Sequence, residues 1–280
     1  MRTLDWIVAR NTAAGRGIHD DDEARRQGFP GALVPGNVHV VLAGAVLTER
    51  FGSAWHERGV LSHRWRKPVY DGERVRVELD ERPPGPGDES SVDFRLVKQD
   101  GTVCTSGYAG VARPGARPVP PWEREEAAAP PEVGDYDPLP TDPIGHSYGS
   151  RTTVPDARWN EHVLAGFDPN PWYVDASPWG GPVVPAFGVL GNTNWIANRQ
   201  TPSVVFGEMR NGMNAALDLV MLRPVHLGEP IEHRASLVAK GTRGDLAVRT
   251  VHIDVLDRAG DTVAVARWTI KWRTARPLAR

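Results

Sequence analysis

The chain has 280 residues and one cysteine, with 24% charged and 40% hydrophobic residues, a formal net charge of −2 and a mean hydropathy of −0.40. That composition is globular. A lone Cys104 excludes an intrachain disulfide and a multi-thiolate metal site, and the longest apolar run, residues 38–47, falls short of the ~20 residues that span a bilayer. Arginines are scattered rather than massed, which leaves no electrostatic footprint for nucleic acid. The expectation is a cytoplasmic protein with no leader, no membrane partner and no nucleic-acid partner.

In chain order, an irregular start through Ile18-His19-Asp20-Asp21 and the Gly-rich stretch Gly28 to Gly36 leads to a helix expected over 37–50. Val38, Val40, Val41, Leu42, Ala43, Ala45, Val46 and Leu47 make it apolar on most sides, which suits a helix enclosed by other structure. Pro35-Gly36 precedes it and Phe51-Gly52 closes it. Residues 73–79, and parts of 91–98 and 102–112, alternate with period two and predict antiparallel strands, with Asp100-Gly101 as hairpin turn chemistry. From 112 to 150 prolines fall among Gly, Ala and acidic residues without period, which predicts a linker. Beyond it a helix is expected over 184–196 and strands over 215–225, 231–240, 245–257 and 262–272, the last two joined at Ala259-Gly260-Asp261.

The halves repeat each other. Lys67-Pro68-Val69-Tyr70-Asp71-Gly72-Glu73 answers Arg223-Pro224-Val225-His226-Leu227-Gly228-Glu229, Gly31-Ala32-Leu33-Val34-Pro35 answers Gly181-Pro182-Val183-Val184-Pro185, and Gly101-Thr102-Val103 answers Asp261-Thr262-Val263. All three pairs are in order, at offsets of roughly 150 to 160 residues. The expected organisation is two α+β domains, 1–112 and 151–280, each a sheet wrapped round a central helix, with a Pro-rich linker at 113–150.

This doubled pattern, with its Gly-rich segment before each helix, resembles the MaoC-like double hot-dog family of acyl-thioester hydratases and dehydratases. That family's motif sets an Asp, then Asn-Pro, a His five residues after the Asp, and an Asp two further on. The second half keeps Asp168, Asn170, Pro171 and Asp175 but has Tyr173 at the His position. The first half keeps His19 and Asp21 but has Ala14 for the Asp and Arg16 for the Asn.

The resemblance implies hydration or dehydration of an enoyl or 3-hydroxyacyl thioester, with no cofactor beyond the coenzyme A or carrier arm that the substrate brings. Such chemistry needs a base for water, a proton for the α-carbon and donors for the thioester oxygen. It implies His19 as general acid or base, Asp21 as its orienter, and backbone N–H groups at Gly36 and Ala186, where the helices begin, as oxyanion donors. It offers Asn170, Gly31, Tyr70 and Trp179 as substrate contacts. Bland alternatives stand beside these: His19 tied to a neighbouring carboxylate, 20–23 as an acidic helix start, and Trp65, Trp172, Trp179 and Trp195 as packing rather than a tunnel.

Asp168 with Tyr173 is either a binding or structural copy, a second site with the phenol as donor, or half of a composite site with His19. Arg64, Arg66 and Lys67 suit either carrier phosphates or a solvated strand face, and Cys104 suits an inert thiol. His226, Glu229 and His233 straddle a turn and make a weak metal signal, so no metal site is expected. Two fused copies permit a monomeric pseudo-dimer or a homodimer. The alternatives to hydration are a non-catalytic protein that binds an acyl thioester or apolar small molecule, and a thioesterase using Asp21 or Asp168 to activate water.

Overall fold

The computed structural model describes residues 2–3, 5–13, 15, 17–124, 137–139, 142–164, 166–191, 212–243 and 246–273. Two short strands, β1 (Arg2–Thr3) and β2 (Ile7–Val8), and helix α1 (Asp21–Arg26) precede the long helix α2 (Gly36–Phe51) and the one-turn α3 (Ala54–Arg58). Then come β3 (Gly59–Trp65), β4 (Arg74–Arg82), β5 (Asp88–Lys98) and β6 (Val103–Ala112). The second half holds β7 (Ser147–Thr153), α4 (Ala157–Leu164), β8 (Met213–Met221), β9 (Ile231–Arg243), β10 (Leu246–Leu256) and β11 (Thr262–Arg273).

Among the described residues the strands form one eleven-stranded sheet in the order β1-β4-β5-β6-β3-β8-β11-β10-β9-β7, with β2 beside β4. All its pairings are antiparallel. The halves join where β3 meets β8, with Ser62 opposite Asp218 and Leu61 opposite Leu219. Alternation does not reveal β3 because its first five residues are all buried; a strand enclosed on both faces loses the period-two signal. Arg64 makes two hydrogen bonds to Asp218, at 2.6 and 3.2 Å, across this seam.

Helix α2 is the hub. Val38, Val40, Leu42, Ala43, Val46 and Leu47 are all buried, so β4, β5 and β6 cover one side while α4 and the 3-10 turn Ala186–Leu190 pack on another. Burial of the Val and Leu side chains among them contributes about 1.5–3 kcal/mol each. No helix among the described residues is long and apolar enough to cross a membrane.

The internal repeat reappears in the hydrogen bonds. Val34 N–H donates to Val69 O and Val184 N–H to Val225 O, both at 2.8 Å. Leu33 bridges Tyr70 as Val183 bridges His226, and Glu73 and Glu229 each accept the N–H three residues earlier. Each of these turns closes on a glycine at positive φ, 81° at Gly72 and 83° at Gly228, a conformation that costs a Cβ-bearing residue.

Three expectations are corrected in detail. The helix expected over 184–196 is, where described, a five-residue 3-10 turn, Ala186–Leu190, ended by Gly191 at φ 59°; residues 192–196, Trp195 among them, lie outside the described residues. The Pro-rich stretch is not all free linker: Arg124 pairs with the buried Asp88 at 2.7 Å, Trp122 packs edge-on to His252 at 5.8 Å, and Leu139 is fully buried. Residue 151, the expected start of the second domain, falls inside β7.

Candidate active site

The segment from Asp168 to Val184 is folded by its own polar side chains. Asp168 accepts the Asn170 N–H at 3.1 Å, and Asn170 accepts the Trp172 N–H at 3.0 Å, capping the turn Pro171–Tyr173. Both are Asx turns, the local chemistry for which Asp and Asn are suited. From α4, the buried Asn160 amide donates to Tyr173 O at 2.8 Å and Val183 O at 2.9 Å. Asn170 thus caps this turn.

The cap places Asp168 and Tyr173 in one narrow cleft with about 20 Å³ of free volume, room for a water. Its other walls are apolar except for Thr48: Val41 and Gly44 of α2, Leu164 of α4, then Ala186 and Phe187. Burial pushes the Asp168 carboxyl up to about 6, with the Asn170 N–H working against it. Burial also raises Tyr173 far above a phenol's ordinary value, so it stays protonated. Its hydroxyl lies 3.2 Å from Thr48 Oγ1 and 3.3 Å from His56 Nε2, both supplied by the first half.

In the first half, His19 ends the turn Gly17–His19 and is half-buried. Its Nδ1 is 2.7 Å from Leu33 O; a carbonyl only accepts, so Nδ1 carries a proton. Leu33 N–H donates to Ile18 O at 3.0 Å, as Val183 N–H donates to Trp172 O at 2.9 Å. His19 and Tyr173 therefore occupy equivalent places, each one residue beyond the accepting carbonyl. Ala14 and Arg16 lie outside the described residues.

Asp21 does not orient His19, which is a correction. Its Oδ1 accepts the Ala32 N–H at 2.8 Å and its carboxylate faces Arg25 at 3.5 Å, because Asp20 caps α1 and turns the next side chain toward the Gly-rich loop. A Cβ on Gly31 would stand 3.2 Å from that Asp21 oxygen, so Gly31 serves this close approach. Gly36 does open α2; a Cβ there would stand 2.6 Å from Asn214 Nδ2 of the second half.

The remaining candidates scatter. Tyr70 packs under Lys98 at 4.9 Å, and Trp179 donates to Glu57 at 2.9 Å while packing edge-on against Trp172; neither lines the cleft. Trp65 donates to Gly36 O. Arg64 is taken by Asp218, and Arg66 bonds Ser106. Burial raises the Cys104 thiol to about 11, a poor nucleophile. His226 and Glu229 close their turn, His233 bonds Val189 O, and no metal-ligand cluster occurs among the described residues. Sequence reasoning missed Thr48, His56 and Asn160, because none stands within a recognisable spacing.

No protein-family model matches the chain, and no curated protein matches it. Solved structures do. A MaoC domain protein from Chloroflexus aurantiacus, named as a candidate dehydratase, is 12% identical with a TM-score of 0.63, covering 98% of this chain and 95% of its own. A conserved hypothetical protein of Mycobacterium tuberculosis, described as having a double hot-dog fold, is 14% identical with a TM-score of 0.64, covering 97% and 96%. A MaoC-like dehydratase is 13% identical with a TM-score of 0.54, covering 91% and 88%. At such identities the likeness concerns architecture: the chain has the α+β double hot-dog fold of these proteins.

Proposed function

We propose that the protein hydrates an enoyl thioester, or dehydrates the 3-hydroxyacyl thioester, in the cleft that Asp168 and Tyr173 line between the two halves. Asp168, as carboxylate, takes a proton from water as the water oxygen bonds to the β-carbon, and then returns that proton to the α-carbon, so that H and OH add across the double bond. A carboxyl with a pKa of about 6 serves both steps near neutral pH. Tyr173 keeps its proton and donates a hydrogen bond to the thioester oxygen as that atom gains enolate charge. No cofactor is required beyond the carrier that the substrate brings.

One observation carries this reading: a buried carboxyl shifted toward neutrality and a phenol held protonated line the same water-sized cleft. His19, although it keeps the family's residue type, has no motif carboxylate, since Ala14 stands in that place. A carboxylate beside a water is also what thioester hydrolysis needs, which keeps a thioesterase as the second reading.

The test is an absorbance assay of the purified protein against short, long and branched trans-enoyl-coenzyme A thioesters, with free thiol followed in parallel. Loss of enoyl absorbance that disappears in Asp168→Asn and survives in His19→Ala supports the proposal. The reverse pattern moves the site to the first half. Thiol release without hydration makes the protein a thioesterase, and thermal stabilisation by an acyl ligand without turnover makes it a binding protein.

A further inference from the structure

His56 belongs to α3 of the first half but is enclosed by the second. It is fully buried, with the rings of Trp172, Tyr173 and Trp179 at 5.8, 5.8 and 5.5 Å. The next residue, Glu57, accepts the Trp179 indole N–H at 2.9 Å, which fixes the aromatic wall in place. The imidazole does not line the cleft; it stands behind the Tyr173 hydroxyl, with Nε2 3.3 Å away. Its other nitrogen, Nδ1, is buried without a hydrogen-bond partner. Burial lowers the ring to about 4, so it is neutral at pH 7 and carries one N–H.

The place of that one proton decides what Tyr173 can do. Put on Nδ1, it would be a buried N–H donor with nothing to bond, a rare arrangement. Put on Nε2, it is donated to the Tyr173 oxygen and only an acceptor is left unmet at Nδ1. The phenol oxygen then receives from His56, and its own proton must point elsewhere, towards Thr48 or into the cleft.

We propose that His56 is a positioning residue: as the Nε2–H tautomer it donates to the Tyr173 hydroxyl and so turns the phenolic proton toward the carbonyl oxygen of a bound acyl thioester. The inference rests on the proposed chemistry of the Asp168–Tyr173 cleft and adds to it a residue with no place in the motif, contributed by the opposite half. An accepting His56 would do the opposite, drawing the proton away from substrate.

Two measurements test it. Nitrogen NMR of the full chain with labelled histidine, with the His56 signals assigned by their loss in His56→Gln, should show Nε2 protonated and Nδ1 bare at neutral pH. An Nδ1–H tautomer or a charged ring overturns the inference, whatever the enzyme's activity. In the hydration assay, His56→Gln, which retains a side-chain donor, should stay within a few-fold of wild-type kcat. His56→Phe should lose on the order of 100-fold in kcat, with KM little changed, and adding Tyr173→Phe should cost nothing more. Wild-type kcat in His56→Phe, beside a crippled Tyr173→Phe, overturns the inference as well. If His56→Phe fails to fold by near-UV circular dichroism, the glutamine variant and the spectrum still decide. If the wild-type protein turns over no thioester, the functional reading falls, while the tautomer still settles the hydrogen bond on which this inference stands.

Discussion

Thr48 and Tyr173 stand 125 positions apart in sequence and meet at 3.2 Å between their hydroxyls. The contact ties the central helix of the first half to the motif loop of the second, so the candidate site exists only when both halves are folded. Tyr173→Phe removes the bond to Thr48 and the one to His56 at once. On the proposed chemistry turnover should fall by on the order of 100-fold or more, the usual consequence of losing one oxyanion donor. Stability should drop by about 1–2 kcal/mol, because buried partners are left unmet; enoyl absorbance and urea unfolding measure the two effects.

Asp168→Asn should separate activity from stability. The Asp168 carboxyl has a folded pKa of about 6 against an ordinary value of 3.8, so the folded state holds the extra proton between those values. Its stabilising proton is present below pH ~4 and lost as pH rises through about 6. The asparagine variant keeps an acceptor for the Asn170 N–H without that loss. It should therefore be more stable than wild type at pH 7, by an amount on the order of 1–3 kcal/mol, with the difference closing near pH 4. Its turnover should be abolished, and in the wild type kcat/KM should rise with pH through about 6.

The histidines of the interior pull stability the other way. Burial, and then the Lys98 charge, lowers His39 to about 4, burial lowers His56 to about 4, and burial with His39 and Arg64 lowers His63. Each is protonated more readily unfolded than folded, so stability is lost as pH falls from 6.5 toward 4. Burial lowers the interior His233 as well, and together these groups outweigh the opposing contribution of Asp168. The urea midpoint should decline from pH 7 to pH 5, and His39→Gln should flatten that slope; an equally steep slope in the variant would count against His39.

Two glycines should differ sharply on substitution by alanine. At Gly107 of β6 a Cβ would stand 1.9 Å from the Ser62 carbonyl oxygen and 2.7 Å from Phe94, so a backbone strand of the central sheet would have to move. Gly107→Ala should cost upwards of about 3 kcal/mol or abolish folding. At Gly36 the obstacle is the Asn214 amide, the end of a side chain, at 2.6 Å. Gly36→Ala should cost about 1–2 kcal/mol; comparative thermal melts distinguish the two.

Local chemistry is written in the order of the residues. Turns spelled Val-x-x-Gly-Glu, a helix apolar on most sides and strands of period two carry their instructions within a few positions, which is why the duplication, the helix at Gly36–Phe51 and the strands β4–β6 and β9–β11 are legible in the amino-acid sequence alone. The equivalence of His19 and Tyr173 is read from the motif spacing, and in the structure one backbone hydrogen bond repeats beside them in each half.

What meets what depends on tertiary packing. The strand β3, buried along most of its length, has no alternation to read, and its pairing with β8 is a contact between segments more than 150 residues apart. Asp168 owes its shifted carboxyl to burial, which no spacing records. Thr48 and His56 reach Tyr173 from outside the motif, and Asp21, placed by the motif beside His19, is drawn instead to the Ala32 N–H. A motif fixes the order of residues along a loop; the direction in which each side chain is turned depends on the unmet hydrogen-bonding groups that packing brings beside it.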